Sequence, residues 1–132
     1  MLIGELSKLS GLSKDGLRHY EALGLIHSTP REAGSRVYRE YDDSTLERLS
    51  IIALARRLHI PLKDLASVLD KILADEISRE GRAALMAEQI AAVDRKIADL
   101  QDARAELVGL LSQPDKEYVD ARLKALGLWL KE

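Results

Sequence analysis

Cysteine is missing from all 132 residues of the sequence. That absence alone excludes disulfides, thiolate zinc sites and iron–sulfur clusters. Phenylalanine is missing too, and aromatics make up only 4% of the chain, while leucine, isoleucine and alanine are plentiful. Such a composition suits helix packing better than a β-sandwich. No apolar run approaches the roughly 18 residues of a membrane-spanning helix, and no secretory leader pattern is present. We therefore expect a soluble, cytoplasmic protein with no membrane partner. A strong basic excess is lacking as well. The net charge of −2 divides into ten Lys/Arg against eight Asp/Glu over residues 1–63, and ten against fourteen over residues 64–132. Nucleic-acid-binding domains often carry a larger positive balance, so charge alone names no partner.

What the chain does contain is a pair of short helical patterns near its start. Ile3, Leu6 and Leu9 recur at helical spacing, and Gly11 marks a tight turn. Ser13 is a good N-cap for a second helix beginning at Lys14. Two short helices joined by a glycine-containing turn are the sequence form of a helix-turn-helix. The second helix carries Lys14, Arg18, His19 and Tyr20, all able to donate hydrogen bonds to phosphates or base edges.

The run Leu17-Arg18-His19-Tyr20-Glu21-Ala22-Leu23-Gly24-Leu25-Ile26 resembles the end of the recognition helix in MerR-family transcription regulators. Tyr38-Arg39-Glu40-Tyr41 resembles that family's wing signature. Leu46-Glu47-Arg48-Leu49-Ser50-Ile51-Ile52 and the stretch from Ala55 to Leu65 resemble its third and fourth helices. These motifs occur in order over about half of the chain, and the next third matches in pattern only. The resemblance implies a mainly α fold: a winged helix-turn-helix, then a long antiparallel coiled-coil dimerisation helix and a short C-terminal helix. The expected division is 1–73 for the winged helix-turn-helix DNA-binding domain, 74–113 for linker and coiled-coil dimerisation helix, and 114–132 for a short effector or docking segment. Three positions depart from the family pattern. Gly16 replaces a β-branched or polar residue, Val37 stands where a wing glycine is common, and His59 replaces a frequent glycine between helices three and four.

Between these motifs, residues 27–34 are polar and read as a turn into a hairpin, and Ser35 to Tyr41 mixes β-formers with positive charge. Arg31, Arg36 and Arg39 are expected on the outside of this wing. Asp43 or Ser44 is the expected N-cap of the third helix. Its apolar stripe runs through Leu46, Leu49, Ile52, Ala53 and Leu58. Leu62, Leu65, Val68, Leu69 and Ile72 give the core face of the fourth. Gly81 is expected to mark a break before a long helix from Ala83.

In that long helix Met86, Ile90, Val93, Ile97, Leu100, Leu107 and Leu111 step by threes and fours, interrupted only by Arg104. This is an a/d seam over about four heptads, and it asks for a partner helix. A second copy of the chain is the cheapest source, giving a homodimer. Gln113-Pro114-Asp115 stops the helix. The apolar tail beyond it, including Tyr118, Leu126 and Trp129, either packs on the protein or forms the wall of a pocket for a small apolar ligand.

Sequence choice on duplex DNA comes from base edges, and affinity from phosphate contacts. The DNA-binding candidates are Ser13, Lys14, Arg18, His19 and Tyr20 on the helix, with Arg36, Tyr38 and Arg39 in the wing. Arg56, Arg57 and Lys63 stand near the junction of helices three and four. Tyr38 and Arg39 match the family's phosphate-contacting pair. The resemblance further implies a dimer on a pseudo-palindromic promoter operator, acting with RNA polymerase by distorting the DNA in response to an effector. Metal-sensing members use cysteines that this chain lacks. Its three histidines (His19, His27 and His59) have no ligand spacing, so we expect neither metal nor cofactor. The alternative reading is a protein-binding adaptor, such as a chaperone modulator, on the same fold. No constellation of nucleophile, base and metal ligands suggests an enzyme.

Overall fold

The computed structural model describes residues 1–112 and 116–127. The chain divides into two compact units, Met1–Leu85 and Met86–Glu132. The first contains α1 (Ile3–Ser10), α2 (Lys14–Ala22), β1 (Thr29–Ala33), β2 (Arg36–Glu40), α3 (Ser44–Arg57) and α4 (Leu62–Leu73). Helix α5 (Arg79–Ser112) starts in the first unit and continues through the second, where α6 (Lys116–Ala125) follows. This is the expected winged helix-turn-helix, with a long helix and a short one after it.

The first unit is built around Leu6, Leu17, Tyr20, Leu25, Ile26, Tyr41, Leu49, Ile52, Ala55, Leu65 and Leu69, all buried. Burying a leucine or isoleucine stabilises by roughly 1.5–3 kcal/mol, so this cluster is what holds α1 to α4 together. Four of the residues read as core from periodicity are exposed instead. In α1, Leu9 is exposed because two successive steps of three rotate it some 120° away from Ile3. Ala53, Leu58 and Ile72 likewise lie outside the buried stripes of α3 and α4.

Local signals set the helix boundaries. Ser13 caps α2, its Oγ accepting from the Gly16 N–H at 3.0 Å. Asp43 is the N-cap residue of α3 but makes no side-chain cap. The neighbouring Asp42 does so instead, its Oδ1 accepting from the Ser44 N–H at 3.0 Å and also from the Ser44 hydroxyl. The Ser44 hydrogen bond holds the Asp42 carboxyl below its ordinary pKa. Gly81 breaks nothing. It lies in the first turn of α5, where its N–H donates to Ser78 Oγ at 3.0 Å, and the break falls between Leu73 and Arg79.

Helices α2, α3 and α4 end in the same way. In each, the second residue past the C-cap donates back to a carbonyl five positions earlier and a left-handed residue precedes it: Leu25 to Tyr20 O, Ile60 to Ala55 O, and Glu76 to Lys71 O. The left-handed positions are Gly24, His59 (φ 60°) and Asp75 (φ 53°). This double hydrogen-bonded termination favours glycine, because a Cβ is crowded at positive φ. His59 is therefore the departure with a structural cost. We expect His59→Gly to stabilise the protein by about 0.5 kcal/mol, relief of strain exceeding the added freedom of the unfolded chain. A urea midpoint that rises with unchanged m-value is the expected reading, and a lower midpoint would refute it.

β1 and β2 pair antiparallel, from Thr29 opposite Glu40 to Ala33 opposite Arg36, around a two-residue loop with Gly34 at φ 65°. Val37 sits within β2 opposite Glu32, so the missing wing glycine does not alter the turn. Both strands are edges, which is why Pro30 is tolerated without its N–H. At the hairpin base, Leu2 bridges to Glu40, and the backbones of Met1 and Tyr41 exchange hydrogen bonds at 2.7 Å in each direction.

Helix α5 is 34 residues long, roughly 50 Å, and none of its residues is buried. Met86, Ile90, Ile97, Leu100, Leu107 and Leu111 are all exposed along it, and Val93 is half-buried. In the second unit, α6 is tied to α5 by an Arg122–Glu106 ion pair. Tyr118 and Leu126 are exposed, Leu126 just past the end of α6, while Trp129, Pro114 and Asp115 lie outside the described residues. No helix among the described residues is long and apolar enough to cross a membrane.

Candidate nucleic-acid interface

Helix α2 turns one face inward through Leu17 and Tyr20 and leaves Asp15, Arg18, His19 and Ala22 exposed on the other. Tyr20 was expected to face DNA, but only 5% of it is exposed and its hydroxyl accepts from Arg56 Nη1 at 3.1 Å. Three residues after Leu17, it falls on the same side of the helix and is drawn into the core. That bond ties Arg56 to α2. Lys14, Arg57, Lys63 and the capping Ser13 remain at the exposed surface.

The wing buries almost nothing by itself, and an isolated two-stranded ribbon is marginal in water. A polar cluster at its base anchors it to α2. Glu21 Oε2 accepts from Ser28 Oγ at 2.6 Å and from Arg39 Nη1 at 3.2 Å, and Glu21 Oε1 accepts from the Tyr41 hydroxyl at 2.5 Å. Arg39 Nη1 also donates to Ser28 Oγ at 3.2 Å. One carboxylate on the helix thus orients both ends of the Arg39-Glu40-Tyr41 segment.

Burial tends to raise the Glu21 pKa, but hydrogen bonds from Ser28 and Tyr41 and the Arg39 charge outweigh it and leave the carboxyl below its ordinary value. Burial, reinforced by the Glu21 hydrogen bond, pushes the Tyr41 phenol up to about 12. A depressed carboxyl favours folding while ionised, and that contribution disappears as pH falls through its folded value. A raised phenol favours folding while neutral, and that contribution is lost as pH rises from about 10 toward 12. Glu21→Gln should flatten the acid limb of a stability–pH curve and Tyr41→Phe the alkaline limb. Unchanged limbs in chemical denaturation would refute this assignment.

Between α2 and β2 lies an open cleft of about 450 Å³. Arg18, Glu21 and Ala22 line it from the helix, Val37, Tyr38 and Arg39 from the wing, and Leu2, Ile3 and Tyr41 complete the lining. Both arginines are mostly exposed although each touches a carboxylate, Arg18 to Asp15 Oδ1 at 3.0 Å and Arg39 to Glu21. The Arg18–Asp15 pair is exposed on both sides and contributes little, so its guanidinium is readily available to an anion. Arg39 keeps most of its guanidinium at the surface although Glu21 beneath it is half-buried. Arg36 is exposed at the first position of β2, and Arg31 lies 3.5 Å from Glu40 across the ribbon. Asp15 was not among the residues expected at the site, although its spacing of three from Arg18 on a helix is the signal of a facing pair.

Arg48 was also passed over. It is buried, donating from Nε to Leu25 O at 2.7 Å and from Nη1 to Asp70 Oδ1 at 2.7 Å, and so joins α3 and α4 to the segment that leaves α2. The Arg48 hydrogen bond and charge hold the Asp70 carboxyl below its ordinary pKa. Among the described residues no group of three or more His, Cys, Asp or Glu is arranged to hold a metal ion.

Comparison with known proteins places this architecture. Residues 1–72 match the family described as MerR HTH family regulatory protein, and residues 46–110 match the one described as MerR, DNA binding. The HTH-type transcriptional regulator HmrR of Sinorhizobium medicae is 34% identical over 133 residues, covering 96% of this chain and 89% of that protein. The HTH-type transcriptional regulator SkgA of Caulobacter vibrioides is 38% identical over 107 residues, covering 75% of this chain. The chain spans only 41% of SkgA's length. Among solved structures, the transcription regulator PbrR691 from Ralstonia metallidurans in complex with lead(II) superimposes with a TM-score of 0.73 at 30% identity, over 88% of this chain and 89% of that one. On the residues matched and on the fold they share, the chain belongs to the MerR family of HTH regulatory proteins.

Proposed function

We propose that this chain is a homodimeric, sequence-specific regulator of transcription that reads double-stranded DNA with α2 and grips the backbone with its wing. The observation that carries this reading is the cleft between α2 and β2, where Arg18, Tyr38 and Arg39 converge. Its two guanidinium groups and one phenol suit the oxygens of a phosphodiester. Lys14 and His19 then face base edges from the start and middle of α2, and Arg36 extends the backbone contact along the wing. Arg57 and Lys63 add phosphate contacts, and Arg56 acts through its bond to Tyr20.

The exposed seam of α5 supports pairing with a second copy, and a two-fold dimer requires an operator with inverted half-sites. We assign residues 1–73 to DNA binding, 74–113 to dimerisation and 114–132 to docking. We further propose that the dimer works in the cytoplasm at a promoter, together with RNA polymerase, by deforming the bound DNA. PbrR691 is a lead(II) complex. Without cysteine, these residues offer no thiolate for such an ion, and we assign the effector role to a non-thiolate ligand. Relatives with regulatory names favour neither an enzyme nor an adaptor.

The test is selection of bound duplexes from random DNA at two salt concentrations. Enrichment of an inverted repeat, with affinity falling as salt rises, is the expected result. A folded dimer that enriches no sequence at either concentration refutes the proposal.

A further inference from the structure

We propose that Asp15 is a specificity-determining residue of α2, selecting a cytosine in each half-site of the bound DNA. The inference rests on the DNA-binding reading above and deepens it. Asp15 is the second residue of α2 and its side chain is 96% exposed, in contact with Arg18 and not with the core. It does not cap the helix, because Ser13 performs that role. It shares the outward face with Arg18, His19 and Ala22, and the first turn of a recognition helix is the part that reaches base edges.

A carboxylate there repels phosphates and every acceptor in the major groove. Guanine presents only the N7 and O6 acceptors and thymine presents O4 and a methyl group, so both are disfavoured. Adenine offers its N6 amino group beside the N7 acceptor, whereas cytosine offers its N4 amino group without one, and is the base an aspartate favours. Arg18, 3.0 Å from Asp15 Oδ1, steadies the carboxylate on the shared helix face, and its remaining donors serve the phosphate as proposed above.

A first-turn acid stabilises a helix through its dipole, so the test includes a readout that such a role leaves unmoved. Parent, D15A and D15N proteins are each used to select duplexes from the same random pool, with folding checked by thermal melting. The parent is expected to enrich an inverted repeat with one cytosine per half-site preferred about tenfold over other bases. D15A should lose that preference to below about twofold while keeping the remainder of the site. D15N should move it toward adenine, because an asparagine amide pairs with N6 and N7 together. An unchanged base distribution in both variants, with altered melting or affinity only, overturns the proposal while leaving the DNA-binding reading intact. Absence of any enriched sequence from the folded parent overturns both.

Discussion

Replacing Arg39 with alanine is expected to weaken operator binding roughly 30–900-fold at moderate salt and to leave the proposed dimer intact. The wing buries little surface of its own, so its orientation depends on the cluster around Glu21, and Arg39 belongs both to that cluster and to the wall of the cleft. A charge-assisted contact to phosphate is worth about 1–2 kcal/mol, and a dimer makes it twice. Two lost contacts should also reduce the slope of log affinity against log salt by about two. Arg18→Ala should do the same from the opposite wall, at smaller cost to the wing. Arg39→Lys separates the two roles. It keeps the charge and therefore the salt slope, but a point charge cannot reach Glu21, Ser28 and a phosphate together as a planar fork does. Binding curves measured over a salt series decide the matter, and an Arg39→Ala protein with the parent's affinity and slope would remove Arg39 from the interface.

Ile97→Glu should dissociate the dimer by at least about 100-fold. Helix α5 has no buried residue in the single chain, and its apolar positions alternate by threes and fours along one line, with Ile97 near the middle. In a two-fold pair the substitution introduces two carboxylates into the seam, each an unpaired charge costing several kcal/mol to bury. Because Ile97 is well exposed in the isolated protomer, the fold of residues 1–85 should be untouched. Sedimentation at micromolar concentration should then show monomers with a DNA-binding unit that still melts cooperatively. Ile97→Leu, which keeps the seam apolar, should remain dimeric. An Ile97→Glu protein that sediments as the parent does would mean that α5 pairs through another face.

The order of the elements was legible in the amino-acid sequence, partly from the family resemblance and partly from local signals of short range. The turn at Gly11 and the cap at Ser13 act within a few residues of themselves. The long helix α5 and its apolar spacing were equally legible, since a heptad is a local pattern, while its pairing with a second copy is our proposal. Tertiary packing decided which polar residues serve the site. Tyr20 carries the donor expected of a reading helix, yet the inward turn of α2 commits that hydroxyl to Arg56. Nothing in the spacing around Glu21 sets it apart from other helix acids. It became the anchor of the wing only because Ser28, Arg39 and Tyr41, seven to twenty residues away, fold back upon it. Arg48 carries no sign of burial in the pattern of α3, yet Leu25 and Asp70 close over it from positions more than twenty residues distant. Apolar spacing has no term for such long-range polar partners. A buried charge is stable only where its partners meet it, and only the folded chain brings them there.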